Sequence, residues 1–539
     1  MKKRIYLFYL SLIFGVGGLL ARSGELQLVR GYYYQQLAEG NRIKKEIIPA
    51  PRGIIYDRKG QPLVRNIPIY RKKIENCQAE KEGIKGCFLF LKRDEALRLE
   101  SQGEKDLRVD IGREYLGGET LAHLLGYLGE ANFEEINQGK YKLGDLVGRG
   151  GIEEQYDSWL RGEEGVKIFE TNAEGEKIRL LGVKLPKAGN DLYLTIDKEI
   201  SQTAFSALEG KPGAVVVSKV ETGEILALVS SPSFDPNLFN QLIYQSGEIQ
   251  EKIRKILTNP QKPLFNRAIA GVYPPGSTFK IVSAVAGLEE GKITKDTLYE
   301  DTGEIRVGDY VYRNWYFTQY GKTEGMVNVV KALKRSTDTF FYKLGEWVGA
   351  SRLKEWAESF GLGKLTGIDL PGEAKGKVPD PTKNWFLGNT YHFAIGQGDL
   401  MVTPLQVNLM TSVIANNGKL CSPKLTKLDR WQKMSMKEEC QDLKLKSETL
   451  EIVKEGMKEA CLSGGTAFPL FDFSPPVACK TGTAEFNDPA GRTHAWLTAF
   501  WPAEEPKVVV TVVVEAGGEG SRVAGPIVKK VLEKIKEVL

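Results

Sequence analysis

Apolar and polar positions fall into three regimes along the chain. The first is a run of uncharged residues from Ile5 to Ala21, IYLFYLSLIFGVGGLLA, behind Lys2, Lys3 and Arg4. As a helix it is about 26 Å long, enough for a thin bilayer core. Its basic flank predicts that the N-terminus stays inside. A cleaved signal peptide is the competing reading, but the run exceeds the usual apolar core of about 7–15 residues and ends on a poor small-residue site, Ala21-Arg22-Ser23. The expectation is an uncleaved anchor over residues 1–24, single-pass in the inner membrane, with the rest of the chain outside the cytoplasm.

The second regime, residues 25–187, is charged, glycine-rich and irregular, with short β-like runs at Lys45 to Pro49 and Gly53 to Tyr56. Asp57-Arg58-Lys59-Gly60 reads as a turn closing the second run. This predicts an extended, mainly non-helical pedestal module. In the third regime, residues 188–539, the pattern becomes that of a compact domain. Ala214 to Ser218 and Ile225 to Val229 flank Glu221-Thr222-Gly223 as a hairpin, and Ala495 to Phe500 and Val508 to Val514 form a second pair around Pro502 to Pro506. From Ile527 to Leu539 apolar residues recur at helical spacing with lysines on the other face. Strands near both ends with helices between them predict an α+β domain whose antiparallel sheet is completed by both termini.

Composition adds limits rather than direction. The 74 basic and 69 acidic residues leave a net charge of +5, which gives no argument for a nucleic-acid partner. Six cysteines suit an oxidising compartment and leave the pairing open, with Cys77 and Cys87 as the best candidates for a local bridge. With three histidines and no Cys-x-x-Cys, a zinc site of Cys/His type is not expected.

The candidate chemistry starts at GVYPPGSTFK, residues 271–280. Pro274-Pro275-Gly276 stops what precedes it, and Ser277 opens an apolar helix with Lys280 one turn further along the same face. A serine hydroxyl needs an adjacent base to attack, and a lysine is that base only when burial or a neighbouring cation drives it neutral. Alone, a Ser-x-x-Lys spacing is most simply a helix cap and a solvated lysine. Its companions change that weighting: Ser336-Thr337-Asp338 before an aromatic run, and Lys480-Thr481-Gly482-Thr483 ahead of the C-terminal strands. In a strand, Lys480 and Gly482 share one face and Thr481 and Thr483 the other. Glycine at 482 would let a substrate backbone lie against the edge.

These three motifs, in this order and about 60 and 140 residues apart, resemble those of the penicillin-binding serine acyltransferases. PAPRGIIYDRKG, VGRGGIEEQYD, SSPSFDPN, NRAIAGVYPPGSTFK, AIGQGDLMVTPLQ and KTGTAE narrow the resemblance to class B penicillin-binding proteins, over nearly the whole chain. Ser-x-Asp rather than Ser-x-Asn, followed by TFFY, resembles the elongation-type penicillin-binding protein 2 branch. Some members of that branch are described as holding zinc between the first two motifs; no histidine or cysteine lies between Ser277 and Ser336, so neither metal nor cofactor is expected.

The resemblance implies a D,D-transpeptidase that cross-links peptidoglycan stem peptides during cell-wall elongation and is inhibited by β-lactams. Ser277 would be the nucleophile and Lys280 its base, Ser336 a proton relay and Asp338 the group that fixes the network. Lys480, Thr481 and Thr483 would hold the terminal carboxylate, with Gly482 among the substrate-binding residues and the backbone N–H groups of Ser277 and Thr483 as oxyanion hole. It also implies that Arg52, Asp57 and Arg58 tie the N-terminal module to Glu153, and that a membrane glycan polymerase of the shape, elongation, division and sporulation (SEDS) type is the partner. Two other functions compete: a carboxypeptidase or β-lactamase of the same superfamily, and a non-catalytic scaffold or β-lactam sensor. Against a class A β-lactamase, no Glu-x-x-x-Asn segment follows the middle motif. His392 and His494, in apolar contexts, are expected to serve packing, and Cys479 is expected to be a buried thiol facing away from Lys480.

Overall fold

The computed structural model describes residues 2–32, 42–74, 87–91, 93–104, 107–142, 145–172, 176–241, 247–427 and 440–538. Two compact units emerge, residues 1–53 with 161–190, and residues 54–160 with 191–539.

In the first unit, Lys2–Gly24 forms one helix. The stretch Ile5–Val29 has a mean hydropathy of 1.7 and none of its surface is buried, so length and composition suit a membrane span. The strand Ile43–Ile48 pairs antiparallel with Gly165–Thr171, which pairs in turn with Lys177–Lys184.

The second unit opens with strands Ile55–Tyr56, Pro62–Ile74, Cys87–Leu91 and Leu107–Tyr115, joined by Leu192–Tyr193 in one sheet. The turn read at Asp57 is present: its Oδ1 accepts the N–H groups of Lys59 and Gln61, each at 2.8 Å. Glu153 is fully buried, and its side chain takes the Arg113 guanidinium at 2.9 Å. The bridge expected between Cys77 and Cys87 lies outside the described residues.

The sheet that carries the site has five antiparallel strands: β1 (Gly213–Lys219), β2 (Ile225–Ser231), β3 (Ala478–Glu485), β4 (Thr493–Trp501) and β5 (Val508–Val514), in the order β2-β1-β5-β4-β3. The two predicted hairpins are β1–β2 and β4–β5, and β1 pairs with β5 as both ends of the domain meet. Helices α1 (Lys198–Leu208), α2 (Lys280–Glu289), α3 (Asp338–Val348), α4 (Pro404–Ala415) and α5 (Gly520–Val538) complete the scaffold.

Both faces of this sheet are covered, which explains why β5 is apolar on both faces, interrupted only by Thr511, instead of alternating. Val215, Val217, Val510 and Val512 pack with Ile200 and Leu208 of α1 and Val528 and Ile535 of α5. Val216, Val509, Val513 and Trp496 pack on the opposite side with Met410 of α4 and Phe279. Every residue of α4 is buried, so its polar groups are paired internally. Thr411 Oγ1 meets Thr498 Oγ1 at 2.7 Å, and Ser218 Oγ donates to Asn408 Oδ1 at 2.6 Å. Thr403 and Gln406 form a capping box at the start of α4, with Pro404 at its first position.

Cys479 corrects its expectation. It faces away from Lys480 as β-strand alternation requires, but it is bonded to Cys461, tying the segment after helix Ser447–Ala460 to β3. A second bridge joins Cys421 and Cys440.

Candidate active site

β3 is an edge strand, and the segment carrying Ser277 packs against its inner face. Ser277 lies in a short 3₁₀ turn, Gly276–Phe279, that leads directly into α2. Gly276 has φ of +54°, and a Cβ there would sit 3.1 Å from the Thr483 carbonyl oxygen. A neighbouring loop closes as tightly: Gly276 N–H donates to the Gly396 carbonyl at 2.8 Å, and a Cβ on Gly396 would fall 2.1 Å from the Gly276 oxygen. Glycine at 276 and 396 is therefore what lets the serine turn nest between β3 and the loop after residue 394. Gly482 belongs to the same packing. Its missing Cβ would meet the Pro275 oxygen and Trp496 Cβ at 3.0 Å, so its bareness admits the protein's own serine turn rather than a substrate backbone.

Ser277 is half-buried at one side of a cleft of about 650 Å³, lined also by Ser336, Asp338, Thr481, Thr483, Trp315 and Arg522. Its hydroxyl makes no hydrogen bond among the described residues, and as the first residues of a helical turn its segment leaves N–H groups without intrahelical acceptors.

Lys280 and Lys480 are both fully buried. Lys280 Nζ donates to Asp338 Oδ1 at 2.6 Å, to the Ser336 carbonyl at 2.8 Å and to Ser336 Oγ at 3.2 Å. Lys480 Nζ reaches the same hydroxyl at 2.8 Å, with the Thr481 carbonyl at 3.1 Å. Ser336 ends the helix Val329–Arg335 in a left-handed conformation, φ +56°, uncommon for a residue with a side chain. That turn aims both its carbonyl and its hydroxyl at Lys280.

Burial pushes Lys280 below the ordinary lysine value, opposed by the Asp338 carboxylate. Lys480 is pushed well below it, by burial first and then by the charge on Lys280, with Asp338 again opposing. Two ammonium groups in one dry site disfavour each other, and the one without its own carboxylate gives way further. Neither lysine lines the cleft. Lys480 Nζ thus reaches Ser336 from outside the cleft lining, whereas Thr481, Thr483 and Arg522 belong to that lining.

Sequence reasoning missed several groups here. Thr481 Oγ1 donates to Thr466 Oγ1 at 2.8 Å, Trp315 N–H donates to Asp338 Oδ2 at 2.9 Å, and Arg522 pairs with Glu519. His494 packs as expected: its ring stacks on Phe486 at 4.1 Å and Nδ1 accepts the Ala516 N–H. His392 is exposed instead, its ring edge against Tyr312, because the helix Leu387–Ala394 turns that position outward. Among the described residues no cluster of three or more His, Cys, Asp or Glu could hold a metal ion.

Fold and site together define a serine acyltransferase. Residues 213–533 match the family model of the penicillin binding protein transpeptidase domain, and residues 91–194 that of the penicillin-binding protein dimerisation domain. The peptidoglycan D,D-transpeptidase MrdA of Escherichia coli K12 is 33% identical, with 99% of this chain and 94% of that protein covered. The complex between penicillin-binding protein PBP2 and MreC from Helicobacter pylori has a chain that superposes with a TM-score of 0.79 at 30% identity, covering 92% of this chain and 99% of that one. A chain from a peptidoglycan synthase complex, solved for the structural coordination of polymerization and crosslinking, superposes at 0.77 with 31% identity, covering 98% and 97%. The chain belongs to the penicillin-binding protein transpeptidases, and within them to the MrdA/PBP2 group. It is a peptidoglycan D,D-transpeptidase.

Proposed function

We propose that Ser277 is the nucleophile and that Lys280, Ser336 and Lys480 move its protons. The observation that carries this reading is the convergence of two buried lysines on the single hydroxyl of Ser336, at 3.2 and 2.8 Å, behind the cleft that Ser277 faces. A neutral Lys280 keeps two N–H donors, enough for the Ser336 carbonyl and Asp338, and frees a lone pair for the Ser277 proton. Ser277 Oγ then bonds to the carbonyl carbon between the two terminal D-alanines of a stem peptide. The C–N bond breaks, and the departing amine takes a proton through Ser336. An amine from a second stem attacks the Ser277 ester, forming the new amide and returning the proton to Ser277. Backbone N–H groups of Ser277 and Thr483 would stabilise the oxyanion, at about 3–4 kcal/mol per donor. Thr481 and Thr483, with Arg522 beside them, would hold the terminal carboxylate.

We further propose that residues 1–24 anchor the chain across the inner membrane with the basic end inside, that 25–187 form the pedestal, and that 188–539 form the extracytoplasmic transpeptidase domain working in cell-wall elongation. A relative solved in a peptidoglycan synthase complex that coordinates polymerization and crosslinking supports a glycan polymerase as partner; we place a polymerase of the SEDS type against the N-terminal module. Full-length protein is expected to co-purify with such a polymerase, and failure to do so would count against this assignment.

The reaction itself is tested by incubating full-length protein with a D-Ala-D-Ala-terminated peptide and an acceptor amine. The expected products are free D-alanine and a new amide in equal amounts. D-alanine release with water as sole acceptor would favour the carboxypeptidase reading, and neither product the scaffold reading.

A further inference from the structure

Behind Asp338 lies a second buried acid that the reaction scheme does not use. Asp301 is 1% exposed, and its carboxylate receives four hydrogen bonds. Oδ1 accepts from Gly303 N–H at 3.0 Å and from Thr339 Oγ1 at 2.7 Å. Oδ2 accepts from Glu324 N–H at 2.8 Å and from Asn314 Nδ2 at 2.8 Å. Asp301 has no cationic partner among the described residues, so these four donors are what compensate its burial.

The link to the site runs through Asn314, which is fully buried. Its Nδ2 is committed to Asp301, and its Oδ1 accepts the N–H of Asp338 at 3.1 Å. Only one orientation of the amide satisfies both contacts; the flipped one would turn its NH₂ on an N–H and its oxygen on a carboxylate. The next residue, Trp315, supplies the N–H that holds Asp338 Oδ2, leaving Oδ1 for Lys280. Thr339 ties the first turn of α3 to the same carboxylate.

We propose that Asp301 and Asn314 are positioning residues of the transpeptidation reaction: the Asp301 carboxylate fixes the orientation of the Asn314 amide, and Asn314 with the Trp315 N–H fixes Asp338 against Lys280. The inference rests on the assignment of Lys280 as base. It differs from a purely structural role, in which Asp301 only closes the Gly303 turn, because it reaches the protonation of Lys280. The charged and titratable groups around that lysine are Asp338 of α3 and Lys480 of β3, with Tyr342 of α3 beside Asp338 and the Arg335–Glu324 ion pair flanking the Asp301 cluster. Of these, Asp338 is the group that favours the charged form of Lys280.

The sign follows. A base works deprotonated, so acylation rises with pH through the pKa of Lys280. A displaced Asp338 supports the ammonium less, the pKa falls, and the acid limb moves to lower pH. The less ordered site is slower at its plateau.

The test measures the second-order rate of acylation by a fluorescent penicillin across neutral and alkaline pH, on full-length protein in detergent. The variants are Asp301→Asn, Asn314→Ala and Thr339→Val, with Asp338→Asn as reference. Asp301→Asn and Asn314→Ala are expected to be about ten- to a hundredfold slower at the plateau, with acid limbs displaced in the direction of Asp338→Asn. Thr339→Val, which removes one Asp301 donor without touching Asn314, is expected to keep the wild-type limb. Wild-type limbs in both main variants, with only lowered thermal midpoints, would overturn the proposal; should Asp301→Asn not fold, Asn314→Ala decides it. A wild type that is never acylated would instead overturn the reading of the site on which the proposal rests.

Discussion

Ser277→Ala is expected to abolish both acylation by penicillin and cross-linking of stem peptides, with loss of about a millionfold in kcat if the side chains act as one unit. The variant is expected to fold as the wild type does. The Ser277 hydroxyl makes no hydrogen bond among the described residues and faces an open cleft, so its removal leaves no buried partner unsatisfied. The check is a paired measurement: thermal midpoint and far-ultraviolet spectrum unchanged, adduct formation at background. A variant that still forms the adduct would place the nucleophile elsewhere. Cross-linking retained with no adduct would separate the penicillin site from the reaction.

Lys280→Ala carries the second large effect, and on two quantities. Loss of a positioned base typically costs a hundred- to ten-thousandfold in rate, and the upper part of that range is expected because Lys280 also helps hold Ser336. Stability falls too. Asp338, 12% exposed in its side chain, loses the ammonium that lay 2.6 Å away, and stripping one partner from a buried pair costs about 3 kcal/mol or more. The double variant Lys280→Ala/Asp338→Ala separates the two effects: it is expected to regain much of the stability and none of the activity. Thermal denaturation and acylation rates on the four proteins of this cycle provide the measurement. Activity regained together with stability would mean that Lys280 serves packing and not proton transfer.

What was legible in the sequence was what local chemistry dictates. The hairpins around Gly223 and Pro502 to Pro506 follow from run length and turn residues, and the pairing of β1 with β5 follows from there being strands at both ends of the domain. Ser277, Lys280, Ser336, Asp338 and Lys480 were found because each sits in a short motif, and folding brings the last four into one buried hydrogen-bonded cluster.

The groups that were missed have no local signature. Asp301, Asn314, Thr466 and Arg522 lie in stretches without periodicity and matter only through long-range contacts. The alternation of β3 separated Lys480 from Thr481 and Thr483 correctly. It could not say that Lys480 would reach the Ser336 hydroxyl, the contact on which its proposed part in the proton relay rests. α5 begins at Gly520, seven residues before the apolar repeat that announced it, because Gly520 to Pro526 lacks that repeat and includes a proline. Cys479 and Gly482 were read as single residues in a strand, whereas a bond to Cys461 and the approach of Pro275 decide what they do.

The central claim, an acyl-enzyme on Ser277, is tested most directly by reacting full-length protein with penicillin, digesting it and locating the added mass by peptide sequencing in the mass spectrometer. The account predicts one persistent adduct per chain, on Ser277 within the peptide that carries GVYPPGSTFK. An adduct on another residue, or none on folded protein, would contradict it.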